Sequence, residues 1–497
     1  MNHMCTILLA LMGLADFPLD AAPAAAPATP SPPNIVFILT DDLGINDLAC
    51  YGRREHRTPH LDRLAAQGTR FTAAYCAQPI CSPSRAALLT GKAPARLHLT
   101  TYLPGRPDCR SQKLLHPRIR MEVPLEEKTL AEHLKAAGYA TACIGKWHIG
   151  GPGFGPRDQG FDVVHAGRAV TTPSETEGGK GEYDLTRQAM QFIETHRDRP
   201  FFLYLAHNTP HIPYAAKTNL VEKNRGALEP VYAAVIESMD DTVGLLLAKL
   251  DALGLAANTL VIFTSDNGGL HVPEGPHRTI TQNAPFRAGK GFLYEGGLRI
   301  PLIVRWPGRV PAGRTVDAPV LNTDWLPTLL ELAGRPVPEG LDGVSLALLL
   351  TGRGDPPARQ LFWHFPHYTN QGSQPGGAVR DGEWKFIEHY EDGRVELFNL
   401  ARDLGETNNL ASQQPERVRQ LRAHLAAWRE SVGAQTNTLN PDFDPALHRA
   451  LYVDVDVSRY NAATADPALR ERLLAWRKQM NAVLPPSGAK PRANPRP

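Results

Sequence analysis

The 497-residue sequence has few cysteines, no excess of charge of one sign and no long apolar run. None of its six cysteines lies past Cys143 and none forms a CxxC pair, which argues against a zinc cluster or a dense disulfide framework and leaves one or two disulfides open. Lys and Arg total 53 against 51 Asp and Glu, a balance that argues against a nucleic-acid binder. No stretch reaches the roughly 20 apolar residues of a membrane span, so stable membrane insertion is not expected.

The N-terminus carries a short apolar run at residues 6–15, followed by an Ala/Pro stretch at residues 21–33. This order resembles a signal peptide and a linker, and it favours export to the periplasm or the extracellular space. The alternative is a disordered tail that contains a chance apolar patch.

Strand-like and helix-like segments alternate through the first 350 residues. The strand candidates are continuous apolar runs, which indicates strands buried on both faces of a mostly parallel sheet. Amphipathic helical segments lie between them, so the pattern predicts an α/β fold. The strand candidates are residues 34–39, 140–144, 201–206, 260–264 and 301–304, and the helix candidates are residues 58–68, 129–137 and 232–253.

The pattern changes near residue 350. Residues 377–400 read as short strands separated by the turn signals Asp381-Gly382 and Asp392-Gly393, which predicts a small antiparallel sheet. Helix candidates follow at 415–432 and 467–483, and the Pro/Lys/Arg/Ala-rich end has the composition of a disordered tail. The predicted regions are 1–33 (signal peptide and linker), 34–355 (the α/β domain), 356–435 (a small α+β subdomain) and 436–497 (a partly disordered extension).

Reactive side chains follow the predicted strands where each strand ends. Because the carboxyl ends of parallel strands open on one edge of a sheet, these side chains are expected to converge there. Taken singly, the acidic pairs have a simpler explanation as turns. Together they offer four oxygen ligands that suit a hard cation, with Ca²⁺ favoured over Mg²⁺ because Ca²⁺ tolerates irregular coordination. The residues are Asp41, Asp42, Lys146, His148, His211, Asp266 and Asn267.

The segment CSPSRAALLTG begins at Cys81 and predicts one short helix, with Pro83 near its start and Gly91 at its end. Cys81 would lie at the helix N-terminus, where unsatisfied N–H groups favour an anion. Arg85 is one turn further on and can face the same way. The alternative is a buried cysteine with a purely structural position.

This segment resembles the signature of type I sulfatases, the formylglycine-dependent, arylsulfatase-like branch of the alkaline phosphatase superfamily. The likeness runs from about residue 33 to 410 and includes a GKWHIG element with Ile149 where the family usually has Leu. It implies an alkaline phosphatase-like α/β fold, with a large mostly parallel or mixed central sheet flanked by helices and a smaller C-terminal antiparallel sheet with a helix. The chain also resembles bacterial glycan sulfatases and N-acetylgalactosamine-6-sulfatase-like enzymes. The matching segments are residues 33–44, 58–62, 81–91, 145–150, 211–213, 265–269 and 289–301.

The resemblance implies that a formylglycine-generating or an anaerobic sulfatase-maturating enzyme converts Cys81 to Cα-formylglycine. One hydroxyl of the hydrated aldehyde would attack the sulfur of a sulfate ester, and loss of the proton from the second hydroxyl would expel sulfate. A thiol lacks that second hydroxyl, so turnover would stall without the modification. The implied metal ligands are Asp41, Asp42, the modified Cys81, Asp266 and Asn267.

The resemblance also assigns roles to the basic side chains. Lys146 and Lys290 would hold sulfate oxygens, and Arg85 would hold the side chain of residue 81 and the neighbouring carboxylates. His148 resembles the base for sulfate elimination, and His211, alone or with Lys290, resembles the acid that protonates the leaving alcohol. The alternative for Lys290 is a surface lysine in a Gly-rich loop.

Substrate choice is expected to reside in the loops at residues 93–119, 150–180, 272–287 and 364–377. A sulfated carbohydrate is the favoured substrate. Two alternatives are a phosphate or phosphonate ester hydrolase on the same scaffold, and a non-catalytic binder of sulfated glycans that keeps an unmodified Cys81. The second is disfavoured because every expected catalytic position is filled. Candidate substrate contacts with a solvated loop residue as the alternative are Tyr102, Arg106, Arg110 and Lys113, and the better-placed candidates that follow the second acidic loop are His271 and His277.

Overall fold

The computed structural model describes residues 1, 32–168, 171–172, 174–274 and 281–485. Most of the predicted signal peptide, the candidate His277 and the Pro-rich end at 486–497 lie outside the described residues. The predicted domain boundaries at residues 355 and 435 stay a prediction. The five cysteines in the described ranges are free thiols. In the same ranges, no helix is both long enough and apolar enough to cross a bilayer.

The strands of the described ranges are numbered in chain order. They are β1 Asn34–Thr40, β2 Thr69–Tyr75, β3 Leu114–Leu115, β4 Ala140–Gly145, β5 Val163–Ala166, β6 Phe201–Ala206, β7 Thr259–Ser265, β8 Arg299–Arg305, β9 Arg314–Val316, β10 Val320–Leu321, β11 Gln360–Phe365, β12 Gly376–Asp381, β13 Trp384–His389, β14 Val395–Asn399 and β15 Thr438–Leu439.

The α-helices are numbered in the same way. They are α1 Pro59–Gln67, α2 Cys81–Thr90, α3 Pro94–Leu97, α4 Leu130–Ala136, α5 Glu182–Thr195, α6 Thr218–Lys223, α7 Pro230–Ala252, α8 Glu295–Leu298, α9 Trp325–Leu332, α10 Ala347–Leu350, α11 Pro415–Ser431, α12 Pro445–His448 and α13 Pro467–Ala482. The helices predicted from the sequence are therefore present as α1, α2, α4, α7, α11 and α13.

A nine-stranded mixed sheet forms the centre of the fold, in the order β10-β2-β8-β7-β1-β6-β4-β5, with β9 also beside β2. The five strands β7, β1, β6, β4 and β5 run parallel, so their carboxyl ends open on the same edge. Strand β8 runs antiparallel to both β7 and β2. The predicted α/β class with a mostly parallel or mixed sheet is confirmed.

Both faces of this sheet are buried, as the continuous apolar runs predicted. In β1, Ile35 and Phe37 face one core cluster, whereas Val36 and Ile38 face the other. Helices α2, α4 and α9 supply apolar residues to the first cluster, and α1, α5 and α7 supply them to the second. Full burial of each such side chain contributes about 1.5–3 kcal/mol, so both layers of helices hold the sheet in place.

The smaller sheet is an antiparallel meander of β11, β12, β13 and β14. Both predicted DG turns connect its strands, but the sheet begins earlier than predicted, at β11. One of its faces adds Trp363 and Phe365 to the core beside the large sheet. Its other face packs on α11 through Leu421 and Leu425. In the extension, α13 buries Trp476 in the main core, and β15 pairs with β3.

Candidate active site

Two acidic loops meet at the carboxyl edge of the central sheet. Asp266, after β7, donates its backbone N–H to Thr40 O at 3.1 Å, and Asp42 donates its backbone N–H to Asp266 Oδ1 at 3.1 Å. Asp42 adopts a left-handed conformation with φ 65°, which Asp tolerates better than most residues. This conformation turns the chain directly after β1, so the carboxylates of both loops lie together.

A glycine at the end of β4 places the first active-site lysine. Gly145 has φ 113°, and a Cβ at this position would collide with Ala206 O, so only glycine fits the turn. The next residue, Lys146, donates its backbone N–H to Ala206 O at 2.7 Å. Its ammonium lies 2.7 Å from Asp41 Oδ2. The turn therefore directs the lysine across two strands to the first acidic loop.

Helix α2 begins with Cys81 at the same edge, and all of its residues are buried. Arg85, one turn further on, is fully buried. Its Nε donates to Asp266 Oδ2 at 2.9 Å, and its Nη2 lies 3.7 Å from Asp41 Oδ1. The guanidinium thus lies against two carboxylates rather than contacting solvent, and its implied role toward the side chain of residue 81 stays a prediction.

Three further predicted residues lie close to the Asp42 carboxylate. Lys290 Nζ lies 2.7 Å from Asp42 Oδ2, Asn267 Nδ2 donates to Asp42 Oδ1 at 2.8 Å, and His211 Nε2 is 3.6 Å from Asp42 Oδ2. Lys290 is only 5% exposed, which excludes the alternative of a surface lysine. The structure thereby brings all the predicted catalytic and metal-ligating residues to one edge of the sheet.

The donor set fits a hard divalent cation. Within the described ranges, Asp41 Oδ1 and Asn267 Oδ1 are buried without a hydrogen-bond donor, a state that costs about 1–3 kcal/mol for each group. Ligand atoms of Asp41, Cys81 and Asp266 lie within 4.8 Å of one another. Oxygen donors around one point are what Ca²⁺ and Mg²⁺ prefer. A bound cation would provide a positively charged partner for both unpaired oxygens.

The charges in this site balance before any ion binds, because three carboxylates face two ammonium groups and one guanidinium. Burial raises the pKa of the Asp41 carboxyl, but Lys146, His211 and Arg85 outweigh burial and hold the pKa well below its usual range. At Asp266, burial exceeds the opposing effect of Arg85 and raises the pKa to about 6. A divalent cation would favour ionised carboxylates and leave a surplus of positive charge for an anionic substrate.

An unmodified Cys81 is a poor nucleophile in this environment. Burial raises the pKa of its thiol to about 12, although Lys146 and Lys290 act in the opposite direction. Since the thiolate is the reactive form of cysteine, the thiol is protonated and inert at neutral pH. The position is suited to a side chain of different chemistry.

The two histidines differ in which ring nitrogen is engaged. His148 Nε2 lies 2.9 Å from Leu103 O, so Nε2 carries the proton, and Nδ1 has no partner in the described part of the chain. Burial and Lys146 lower the pKa of His148 to about 3, which leaves a neutral ring with a free basic nitrogen. His211 instead donates Nδ1–H to Ile212 O at 2.7 Å, and burial and Lys290 lower its pKa.

Sequence reasoning missed Lys180, which is nearly fully buried and donates to Ile212 O at 3.0 Å. Burial lowers its pKa to about 8, against the opposing effect of Asp41. Lys180 ends the predicted substrate loop at residues 150–180 and follows no strand, so no local pattern marks it.

The candidate substrate contacts separate into two groups. Arg110 pairs with Asp444, Lys113 donates to Glu391 O, and buried His271 contacts Val457 O, so these three have structural partners. Tyr102 is half-buried and precedes Leu103, which contacts both His148 and Ser82. Arg106 is buried beside Asn370.

Comparison with known proteins identifies the family to which this chain belongs. A family model described as sulfatase matches residues 33–335. The chain belongs to the sulfatase family. A second model, described as the C-terminal part of N-sulphoglucosamine sulphohydrolase, matches residues 288–431. As a sulfatase, the chain is a sulfuric ester hydrolase, and the family indicates a metal ion and a modified cysteine, for which the acidic loops and Cys81 provide candidate groups.

Curated relatives extend this result over most of the chain. Arylsulfatase A of Homo sapiens is 38% identical over 406 residues, which cover 73% of this sulfatase and 76% of the relative. N-acetylgalactosamine-6-sulfatase of Canis lupus familiaris is 38% identical over 382 residues, which cover 70% and 71% of the two chains.

Solved structures share the fold. The crystal structure of Ps i-CgsB in complex with k-i-k-neocarrahexaose is 28% identical, with a TM-score of 0.69 and coverage of 80% of this chain and 93% of that chain. The phosphonate monoester hydrolase of Agrobacterium radiobacter shares the fold at 21% identity, with a TM-score of 0.60 and coverage of 80% and 96%. The fold alone therefore does not distinguish sulfate from phosphonate esters. Sulfate ester hydrolysis is supported by the sulfatase family model and the curated sulfatase relatives.

Proposed function

We propose that this sulfatase releases inorganic sulfate from a sulfated carbohydrate, with formylglycine at position 81 and Ca²⁺ in the acidic site. The observation that carries the proposal is the position of Cys81 at the start of α2, with its sulfur among the ligand atoms of Asp41 and Asp266. The carbohydrate substrate is supported by two similar proteins, an N-acetylgalactosamine-6-sulfatase and a protein solved with k-i-k-neocarrahexaose.

The proposed nucleophile is one hydroxyl of the hydrated aldehyde at residue 81. Its oxygen loses its proton and forms a bond to sulfur as the bond between sulfur and the ester oxygen breaks, and the leaving oxygen takes up a proton. The second hydroxyl then loses its proton, the carbonyl re-forms, and the C–O bond to sulfate breaks. This covalent route requires both hydroxyls, which agrees with the inert state of the buried thiol.

The proton from the second hydroxyl goes to His148 in this proposal. A general base must be unprotonated and must present a lone pair to the reacting group. His148 meets the first condition because burial holds its pKa far below neutrality. Its Nδ1 meets the second because Nε2 is occupied by Leu103 O.

The remaining side chains bind and orient the ester. A bound Ca²⁺ supplies Lewis-acid stabilisation of the anionic sulfate oxygens. Lys146 and Lys290 supply fixed positive charge from opposite sides of the acidic loops, and a preorganised charge in a buried site is effective against an oxyanion. His211 is 30% exposed at its side chain, which suits a group that meets the leaving alcohol.

We also propose export and dependence on a maturating enzyme. Residues 1–33 have the order of a signal peptide, and a polysaccharide substrate would be met outside the cytoplasm. Conversion of Cys81 would be carried out by a formylglycine-generating or an anaerobic sulfatase-maturating enzyme, since nothing in the site's thiol chemistry would oxidise the cysteine on its own.

Peptide mass spectrometry tests the nucleophile. Cleavage after Arg70 and Arg85 releases residues 71–85, which contain both Cys81 and Cys76. In protein produced with a maturating enzyme, fragmentation should show an aldehyde at residue 81 and an intact thiol at residue 76, so Cys76 is an internal control. An intact thiol at residue 81 in protein that still hydrolyses sulfate esters would overturn the formylglycine assignment.

Paired substrates test the reaction. Matured enzyme should hydrolyse an aryl sulfate faster than the matching aryl phosphate or phosphonate, and Cys81→Ala should abolish turnover by at least about 10⁴-fold. Cys76→Ala is the matched control, because Cys76 is equally buried and takes no part in the proposed reaction. Preference for the phosphate or phosphonate ester would instead support the alternative function on this scaffold.

A further inference from the structure

A carboxylate that the proposed reaction does not use lies near the catalytic pocket. Glu274 accepts a hydrogen bond from Gln371 Nε2 at 2.5 Å, and Arg477 Nη2 lies 3.8 Å from its other oxygen. Gln371 and Arg477 are buried, whereas the Glu274 side chain is 17% exposed. The carboxylate is thus fixed from behind and remains open to solvent.

The loop that carries Lys290 connects Glu274 to the reaction centre. A Cβ at Gly291 would lie 3.0 Å from Gln371 Oε1, so the backbone next to Lys290 rests against the side chain that holds Glu274. Lys290 in turn pairs with Asp42. Glu274 is therefore separated from the acidic site by one glutamine and one loop.

Tyr102 occupies the neighbouring side of the pocket. The residue after it, Leu103, donates its backbone N–H to Ser82 Oγ at 3.1 Å and accepts a hydrogen bond from His148. The phenol hydrogen-bonds Asn370, and burial and the Glu274 carboxylate both raise the pKa of Tyr102. Tyr102 and Glu274 are thus two polar groups near each other, next to the residues that bind sulfate.

Two buried arginines near Glu274 and Tyr102 form hydrogen bonds with other residues of the protein. Arg477, on α13, donates to Asn370 O and lies beside Glu274. Arg106 donates to Asn370 Oδ1 and to Met480 O on the same helix at 3.3 Å. The terminal nitrogens of both guanidinium groups bind the protein, although both Nε atoms have no partner among the described residues. The two arginines therefore hold Asn370 and α13 in place beside Glu274, whose carboxylate is partly exposed.

We propose that Glu274 determines specificity by accepting hydrogen bonds from a hydroxyl of the sugar ring that carries the scissile sulfate. This inference rests on the proposed function. A fixed carboxylate binds a hydroxyl donor strongly and repels a carboxylate or a second sulfate at the same place. The substrate class is therefore a singly sulfated neutral hexose or N-acetylhexosamine with a free hydroxyl near the sulfate, and Arg477 is the positioning residue.

The first experiment compares Glu274→Gln with wild type on three probes: an aryl sulfate, a panel of singly sulfated neutral sugars, and the same sugars with a second sulfate. Wild type should prefer the singly sulfated sugars. Glu274→Gln should lower kcat/KM for the sugar that wild type hydrolyses best by about 10- to 100-fold. The variant should also show a smaller preference for the singly sulfated sugar over the disulfated sugar. Its turnover of the aryl sulfate should change less than about threefold. Glu127→Gln, which affects only a partly exposed pair with Lys92, is the matched control and should change none of these values.

The outcomes separate the two proposals. If enzyme with verified formylglycine hydrolyses no sulfate ester, the proposed function fails. If it hydrolyses the aryl sulfate but Glu274→Gln leaves the ratio of sugar to aryl sulfate unchanged, or if wild type cleaves none of the sugars, only the role of Glu274 is overturned.

A double-mutant cycle tests the positioning role of Arg477. Arg477→Met should raise KM for the sugar with little change in kcat for the aryl sulfate, Arg477→Lys should restore part of the loss, and Arg477→Met should add little in the Glu274→Gln background. Equal losses in both backgrounds, or equal losses on both kinds of substrate, would show that Arg477 acts only on the stability of α13.

Discussion

Two ionic clusters in this sulfatase both combine carboxylates with Lys and Arg but differ in their contacts. The reaction cluster consists of Asp41, Asp42, Asp266, Arg85, Lys146 and Lys290. The bridging cluster consists of Glu295, Glu406, Arg299 and Lys385. All of these residues are buried except Lys146, whose side chain is 13% exposed. What differs is how close the cations lie to the carboxylate oxygens.

In the bridging cluster every carboxylate oxygen has a cation or a hydrogen-bond donor close by, although Glu406 Oε1 makes no hydrogen bond among the described residues and has only its ion pair with Lys385. Lys385 Nζ lies 2.9 Å from one oxygen of Glu295 and 2.9 Å from one oxygen of Glu406. Tyr75 donates to the other oxygen of Glu295 at 2.7 Å, and the Glu295 N–H donates to the other oxygen of Glu406 at 2.7 Å. The cluster joins β2, α8 and β13, so it ties the small sheet to the large one.

In the reaction cluster, by contrast, Asp41 Oδ1 has Arg85 no closer than 3.7 Å, and the described residues offer Asn267 Oδ1 no donor. Unmet buried acceptors are costly, but Glu406 Oε1 is also without a hydrogen bond among the described residues. The two clusters therefore differ in the distance to the nearest cation, which is 2.9 Å at Glu406 Oε1 and 3.7 Å at Asp41 Oδ1, and in the position of Asp41 at the carboxyl edge of the sheet.

The largest expected effect comes from Lys385→Met. Loss of this ammonium leaves Glu406 without its cation and Glu295 with Arg299 as its remaining ion-pair partner, so the free energy of unfolding should fall by about 3–5 kcal/mol. Urea denaturation measures it. The control Lys135→Met removes a half-exposed lysine that pairs with Asp162 and should cost less than about 1 kcal/mol. Similar losses in the two variants would contradict a stabilising role for the bridging cluster.

Lys290→Met makes the matching change in the reaction cluster. Its kcat/KM for an aryl sulfate should fall by about 10²–10³, equivalent to about 2.7–4 kcal/mol of transition-state stabilisation. Its unfolding free energy with Ca²⁺ present should fall less than that of Lys385→Met, because the ion supplies positive charge to Asp42. Lys290→Arg keeps the charge and should recover part of the activity. If Lys290→Met lost as much stability as Lys385→Met and kept its turnover, the predicted difference between the reaction cluster and the bridging cluster would be contradicted.

The sequence predicted the reaction cluster better than the bridging cluster, for a physical reason. Residues such as Asp41 and Asp266 directly follow buried strands, so short local patterns mark them. The bridging cluster joins Tyr75, Lys385 and Glu406 across long sequence separations, with no local pattern. The motif that contains Glu295 was recognised, but its side chain belongs to the bridge rather than to the reaction.

The same reason explains the differences in the fold. Strand β2 was not predicted because half-buried and buried residues alternate in its first half without a continuous apolar run. The antiparallel direction of β8 is also not visible in a fully buried strand, since composition does not encode direction. Arg477 reaches the pocket from a helix almost 200 residues away from Lys290, which only the folded chain reveals.

Calcium should stabilise the protein through the reaction cluster alone. At a free Ca²⁺ concentration of 100 times Kd, the unfolding free energy should exceed that of the chelated protein by about 2.7 kcal/mol. Thermal unfolding across a Ca²⁺ titration measures this difference. Asp41→Asn should reduce the dependence on Ca²⁺, whereas Lys385→Met should retain it on a lower baseline. Retention of the full dependence in Asp41→Asn would remove Asp41 from the ligands.

The smallest predicted effect is the pH dependence contributed by His148. Burial and Lys146 lower its folded-state pKa to about 3, whereas the unfolded chain has the ordinary histidine value near 6.5. Between these values the unfolded state binds more protons than the folded state, so the unfolding free energy rises with pH and the contribution is complete above about pH 6.5. The slope from one such group is at most about 1.4 kcal/mol per pH unit.

His148→Gln should remove that slope, so the difference in unfolding free energy between wild type and variant should grow from pH 5 to pH 6.5 and stay constant above it. Denaturation at several pH values measures the difference with chelator and with Ca²⁺. His98→Gln is the control, because this histidine is half-buried and its described side-chain hydrogen bond is to Gly433 O. A difference that does not depend on pH would mean that His148 has the same pKa in the folded and unfolded states, which would overturn the lowered pKa of this histidine.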